Sequence, residues 1–180
     1  MIEVERKFRI TPEQKSKIRT DMENQNGSLQ PLHQIDEVFL QGLDSFEGFK
    51  QGMPVIRLRT ENGVTEMAYK RRLNEGGDMK EHELLIGSAS VMRSILAEMD
   101  FRPVTVVDKI RLQAKAGEMA LMLDEVKHLG DFLEIEIMAT DESELDDAYQ
   151  RIMQQAATYG LGEIDIESQK YDKLLAEAGH

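Results

Sequence analysis

What most constrains this chain is an alternation of period two in which like charges recur at i and i+2. The opening residues, MIEVERKFRI, place Ile2, Val4, Phe8 and Ile10 on one parity, with Arg6 among them. Glu3, Glu5, Lys7 and Arg9 fill the other. A strand sends successive side chains to opposite faces, so such a segment has an apolar face and a charged face. The pattern recurs along the chain. Arg57 and Arg59 alternate with Ile56 and Leu58, Lys109 and Arg111 with Ile110 and Leu112, and Glu134 and Glu136 with Leu133, Ile135 and Ile137. Glu81 pairs with Glu83, Lys70 shares a parity with Ala68 and Arg72, and LMLDEV adds Asp124.

Any one of these segments fits an ordinary strand with a solvated face. The set is harder to place in water, because like charges on one face repel unless opposite charge lies between them. The apolar parity, and the apolar stripes of the helices, call for mutual cover. One geometry meets both demands. It is an α+β fold whose antiparallel eight-stranded sheet curls into a barrel-like tunnel, with a charged interior and with helices packed on the outside. In it the acidic pairs Glu3/Glu5, Glu81/Glu83 and Glu134/Glu136 suit Mg2+ or Mn2+, which prefer oxygen donors. The basic pairs Arg57/Arg59 and Lys109/Arg111, with Lys7 and Lys70, suit a polyanion. A metal-bound triphosphate needs both signs at close quarters.

The periodicities predict strands at 2–10, 36–40, 54–60, 64–72, 79–86, 105–114, 118–126 and 132–138. Helices are expected at 12–26, 89–100, 141–160 and 168–177. Thr11 before Pro12 is a good N-cap and first-turn pair, and Gly27 closes that helix. Ser88 caps a helix carrying Val91, Ile95 and Met99. Thr140 or Asp141 caps one carrying Leu145, Ala148, Ile152 and Ala156, which Gly160 closes, and Ser168 caps the last. The stretches 42–52 and 76–77 read as mobile loops. A weak echo runs through the chain: EVERKFRITPEQ, EHELLIGSASVM and EIEIMATDESEL each set a Glu-x-Glu strand just before a capped helix.

Composition bounds the function. The chain has 180 residues, 41% hydrophobic and 31% charged, and reads as one folded domain over residues 1–180. A net charge of −12 argues against nucleic-acid and membrane-surface partners. No apolar run suffices to span a bilayer. The absence of cysteine removes disulfides and thiolate chemistry and agrees with a cytoplasmic location. No phosphate-binding G-x-x-x-x-G-K-[ST] loop and no H-E-x-x-H zinc motif is present. His82, between Glu81 and Glu83, falls on the parity expected outside the tunnel.

In order along the chain, EVERKF, HQIDEVFL, VIRLR, YKRR, KEHEL, VDKIRL, LDEVKHLGDFLEIEI and KYDKLL resemble the CYTH superfamily of triphosphate tunnel enzymes. The ExExK signature of that family is met by Glu3-Val4-Glu5-Arg6-Lys7. The resemblance implies a nucleoside triphosphate or other triphosphate as ligand, with Mg2+ or Mn2+ as cofactor. It implies Glu3, Glu5, Asp124, Glu134 and Glu136 as metal ligands, with Glu81 and Glu83 as further candidates. It further implies that Lys7, Arg57, Arg59, Lys70, Lys109 and Arg111 bind the triphosphate and that Glu5, Lys7, Arg111, Glu134 and Glu136 carry the chemistry.

Two chemistries compete within the family. LDEVKHLGDFLEIEI is most similar to the class IV adenylyl cyclases, which convert ATP to cyclic AMP and pyrophosphate. IEVERKF is equally similar to thiamine triphosphatase, and hydrolysis of inorganic or thiamine triphosphate is the alternative. Lys170 stands where the cyclase branch has a serine before Tyr171, and the Arg57/Arg59 pair carries one more basic group than some cyclases. A third reading, from another class, is a non-catalytic nucleotide- or polyphosphate-binding module. The resemblance also points to a homodimer.

Overall fold

A computed structural model describes residues 2–50, 52–72 and 79–180. The loop expected at 76–77 lies outside the described residues, as does part of the 42–52 stretch. Eight strands form: β1 (Ile2–Arg9), β2 (Leu32–Gln41), β3 (Pro54–Glu61), β4 (Val64–Arg72), β5 (Met79–Ile86), β6 (Phe101–Ala116), β7 (Met119–Val126) and β8 (Gly130–Ala139). The helices are α1 (Pro12–Asn26), α2 (Ala89–Glu98), α3 (Leu145–Thr158) and α4 (Tyr171–Glu177). The antiparallel sheet has the order β1-β8-β7-β6-β2-β3-β4-β5. In the element order β1 and β5 are followed directly by α1 and α2, and β8 by a short 3-10 turn and then α3. Among the described residues no helix is long and apolar enough to cross a membrane.

The chain condenses into two compact units. The first comprises residues 1–32 and 110–169, the second 33–109 and 170–180. In the first, β1 pairs with β8 (Glu5 opposite Glu136, Lys7 opposite Glu134), and β8 pairs with β7 (Glu134 opposite Met122). Residues directly opposite in an antiparallel pair share a face. Val4, Phe8, Leu121, Leu123, Leu133, Ile135 and Ile137 are thus collected on one side, where they form the core with Ile18 and Met22 of α1 and Ala148, Ile152 and Ala156 of α3. Full burial of side chains such as Phe8, Ile135 and Ile152 contributes about 1.5–3 kcal/mol each. The charged parity is therefore on the opposite face.

Helix α1 buries only Ile18 and Met22, so its ends matter. Thr11 accepts from the Gln14 N–H at 3.2 Å, and the Gln14 side chain accepts from the Thr11 N–H at 2.9 Å. This reciprocal cap satisfies two otherwise unpaired N–H groups. Gly27, at φ 77, donates to the Glu23 carbonyl at 2.8 Å and ends the helix.

In the second unit, β2, β3, β4 and β5 pair in sequence. Phe39, Ile56, Leu58, Leu96 and Phe101 form its core, with Met67, Tyr69, Ile86 and Met92 packed against it. Here the expected helix face is corrected. Val91, Ile95 and Met99 are exposed, and α2 turns Met92 and Leu96 to the sheet. Ser88 does cap α2, accepting from the Val91 N–H. Ser168 caps nothing: α4 starts at Tyr171 with Lys170 at the cap position and no side-chain cap bond. Asp141 caps a short 3-10 turn, Glu142–Glu144, rather than α3 itself.

Candidate active site

The charged face of the first unit carries Glu3, Glu5 and Lys7 from β1, Glu134 and Glu136 from β8, Asp124 from β7 and Arg111 from β6. Arg111 organises it. Its Nε and Nη2 donate to the two oxygens of Asp124 at 2.6 Å each, and Nη2 also donates to Glu134. Asp124 is completely buried. Two parallel bonds to one carboxylate fix the plane of the guanidinium as well as its position.

The acids beyond reach of that clamp are under strain of charge. The Glu5 carboxyl keeps accessible surface but stands deep among protein atoms, and it is pushed up to about 7. Withdrawal from bulk water is the first cause. The negative charges of Glu134 and Glu3 and a hydrogen bond with Glu3 add to it, and Arg111 offsets part. Glu136 is raised as well, by withdrawal from water and by Glu3. Like charges crowded on this face hold these carboxyls up. Its all-oxygen, negative donor set fits a hard divalent ion. Among the described residues no three acidic or histidine side chains already converge as a ligand cluster, so the fit is one of chemistry rather than of a preformed cage.

Lys7, on the same face, is 8% exposed. Its ammonium donates to the Gln169 carbonyl oxygen and lies beside the Phe132 ring. The segment holding it is fastened to β1: Ile166 bridges Phe8, the Glu167 N–H donates to the Lys7 carbonyl at 2.7 Å, and Arg9 pairs with Glu167 at 3.0 Å.

The second unit has its own charged face. Arg59 donates from Nε and Nη2 to Asp36 at 2.7 and 2.6 Å. Arg57 is held loosely, 3.4 Å from Glu83 and 3.6 Å from Glu66, and its Nε is buried with no hydrogen-bond partner among the described residues. Lys70 pairs with Glu81 at 2.5 Å. Withdrawal from water opposes ionisation of Glu81, but the bond and charge of Lys70 win and lower it; Glu83 is raised by withdrawal from water and by Glu81 and Glu66. Lys109, 4% exposed, stands over the Tyr171 ring at 5.2 Å. His82 lies beside Tyr69 on the helix-side face.

The first-unit charges foreseen from parity thus share one face, and those of the second unit share another, apart from Lys109, which stands against Tyr171. Sequence reasoning missed Asp36 and Glu66 as carboxylate partners of the arginines. Each parity of β2 carries one acid, Asp36 or Glu37, so the strand's own pattern did not mark Asp36.

Comparison with known proteins gives these faces a context. The CYTH domain profile matches residues 1–171. A Methanocaldococcus jannaschii protein, provisionally named an adenylate cyclase, is 26% identical over 176 residues, covering 97% of this chain and 98% of its own. The structure of the PH1819 protein of Pyrococcus horikoshii superposes with a TM-score of 0.77 at 23% identity, over 98% and 99% of the two chains. A Hippeastrum protein described by a dominant triphosphatase activity superposes with a TM-score of 0.64 at 16% identity, over 98% and 95%. With the profile spanning nearly its whole length, the chain belongs to the CYTH domain family.

Proposed function

We propose that the chain is a divalent-metal-dependent enzyme acting on a triphosphate, and that the reaction is conversion of ATP to cyclic AMP and pyrophosphate. The observation that carries the reading is the first unit's face, where Glu3, Glu5, Glu134 and Glu136 share one side of the sheet with the clamped Arg111. Glu5, Glu134 and Glu136, with Glu3, would hold Mg2+ or Mn2+, which when bound lowers the pKa of the attacking hydroxyl and offsets phosphate charge. Asp124, with both oxygens on Arg111, acts on the site through that arginine. Arg111 stabilises charge as it builds on the departing pyrophosphate. Lys7 adds a phosphate contact on this face; on the second unit's own charged face Arg57, Arg59, Lys70 and Lys109 are the groups suited to phosphate, and the weakly held Arg57 is the one most readily turned to a phosphate oxygen. In the reaction the ribose 3′ oxygen bonds to the α-phosphorus, the bond to the β-phosphate oxygen breaks, and the hydroxyl proton leaves to solvent or a carboxylate.

The cyclase reading is supported by the name of the full-length Methanocaldococcus relative and by the LDEVKHLGDFLEIEI segment. Triphosphate hydrolysis is the second reading, because the same groups would activate water, and the Hippeastrum neighbour is described by that activity. Incubation with ATP, tripolyphosphate or thiamine triphosphate, each with Mg2+ or Mn2+, separates them. Cyclic AMP with pyrophosphate identifies the cyclase, orthophosphate the hydrolase, and binding without product a sensing module. Glu136→Ala and Arg111→Lys are expected to abolish turnover while the protein stays folded. Wild-type rates in both would remove the site from consideration.

A further inference from the structure

Each unit carries the same three-residue element on a strand: Asp36-Glu37-Val38 on β2 and Asp124-Glu125-Val126 on β7. The three side chains go to the same kinds of partner in both. The valines are buried, at 4% and 1% exposure. The glutamates reach a cation on a helix: Glu37 accepts from Arg93 of α2 at 2.6 and 2.8 Å, and Glu125 from Lys15 of α1 at 2.7 Å. The aspartates, 7% and 0% exposed, each take the Nε and Nη2 of one arginine, Arg59 or Arg111. The device in the first unit belongs to the face already described. Its counterpart has been given no role.

We propose that Asp36 is a positioning residue for the triphosphate reaction, holding the Arg59 guanidinium in the plane in which it engages phosphate. The inference rests on the proposed function. Asp36 lies directly opposite Arg59 in the β2–β3 register, so the fork closes across one rung with little rotameric slack. A carboxylate behind a phosphate-binding arginine weakens attraction for the anion, and a buried ion pair is a poor source of stability compared with apolar residues. What the pair does supply is orientation, and misplacement of a catalytic clamp by about 1 Å costs on the order of 100-fold in rate. Asp36 thus trades ground-state affinity for geometry.

Asp36→Asn tests this, because it keeps the shape and one acceptor but loses the charge and one bond of the fork. Its kcat is expected to fall about 10- to 100-fold, with KM for the metal–triphosphate unchanged or lower. Calorimetry with tripolyphosphate, which does not depend on turnover, should show binding at least as tight as wild type. Arg59→Lys keeps the charge and loses the fork, so it should reproduce the kcat loss, and adding it to Asp36→Asn should cost little more. Glu37→Gln, on the helix side of the same strand, should leave kcat unchanged. An unchanged kcat, a KM that rises with the loss of kcat, or weaker tripolyphosphate binding by Asp36→Asn would each overturn the proposal. If wild type turns over and Asp36→Asn matches it, only this inference fails. A wild-type protein that neither binds tripolyphosphate nor turns over a triphosphate overturns the functional reading and this inference with it.

Discussion

Replacing Asp124 by alanine should be the most costly single change to the charged face. Asp124 is fully buried and receives two bonds of 2.6 Å from Arg111, whose side chain is 13% exposed. Removing one partner of a buried pair leaves the other without compensation and typically costs about 3–5 kcal/mol. Arg111 keeps Glu134 as an acceptor, which places this case at the low end, about 3 kcal/mol. For a chain of this size that corresponds to a melting temperature lower by roughly 6–12 °C. Asp124→Asn, which retains one acceptor, should lose about half as much. The assay is thermal unfolding followed by circular dichroism in metal-free buffer. Glu118→Ala is the control, since Glu118 meets Arg151 at 2.8 Å but both are exposed, and it should leave the transition in place. An Asp124→Ala protein melting within about 2 °C of wild type would show that Arg111 and Asp124 do not form a buried unit in solution.

If Glu5 holds the metal as proposed, its raised carboxyl should make metal binding pH-dependent. Its folded value of about 7 lies above its ordinary 4.5, so between these limits the folded chain holds a proton that the unfolded chain has lost. Stability of the metal-free protein should therefore decline as pH rises through that window. Mg2+ or Mn2+ affinity should rise over the same window with release of a proton, read by calorimetry in two buffers of different ionisation heat; a flat affinity would count against Glu5 as a ligand with a raised carboxyl. In α2, Leu96→Ala should cost about 2–5 kcal/mol in urea unfolding, whereas Ile95→Ala, at 46% exposure, should cost under about 1 kcal/mol. Equal losses would mean that the helix is turned the other way.

The strands were legible because their alternation is strict, and like-charged pairs marked which parity avoids the core. Val4 and Phe8 in the helix-side core, with Lys7 on the other face, follow directly from that reading. Strand starts were less legible. β2 begins at Leu32 rather than 36, because His33 and Gln34 break the apolar rhythm while still pairing. The face of α2 was not legible, because the helix has two apolar stripes, and packing decides for Met92 and Leu96 over Val91, Ile95 and Met99. Charge partners were least legible of all. That Asp36 rather than a more distant acid meets Arg59 depends on strand register, which no local pattern encodes.

The pairing of β1 with β8 has a consequence for synthesis. Ile2 lies opposite Ala139, so the first strand made must wait for about 137 further residues before its partner is complete, roughly 7–27 s at ordinary elongation rates. Through that interval β1 is an unpaired edge bearing Val4 and Phe8, the kind of segment that joins itself to other chains. Glu3, Glu5, Lys7 and Arg9 interrupt its apolar residues at every second position and act as gatekeepers against such association. The charges that share one face of the folded sheet thus first keep the nascent strand apart from its neighbours on the ribosome.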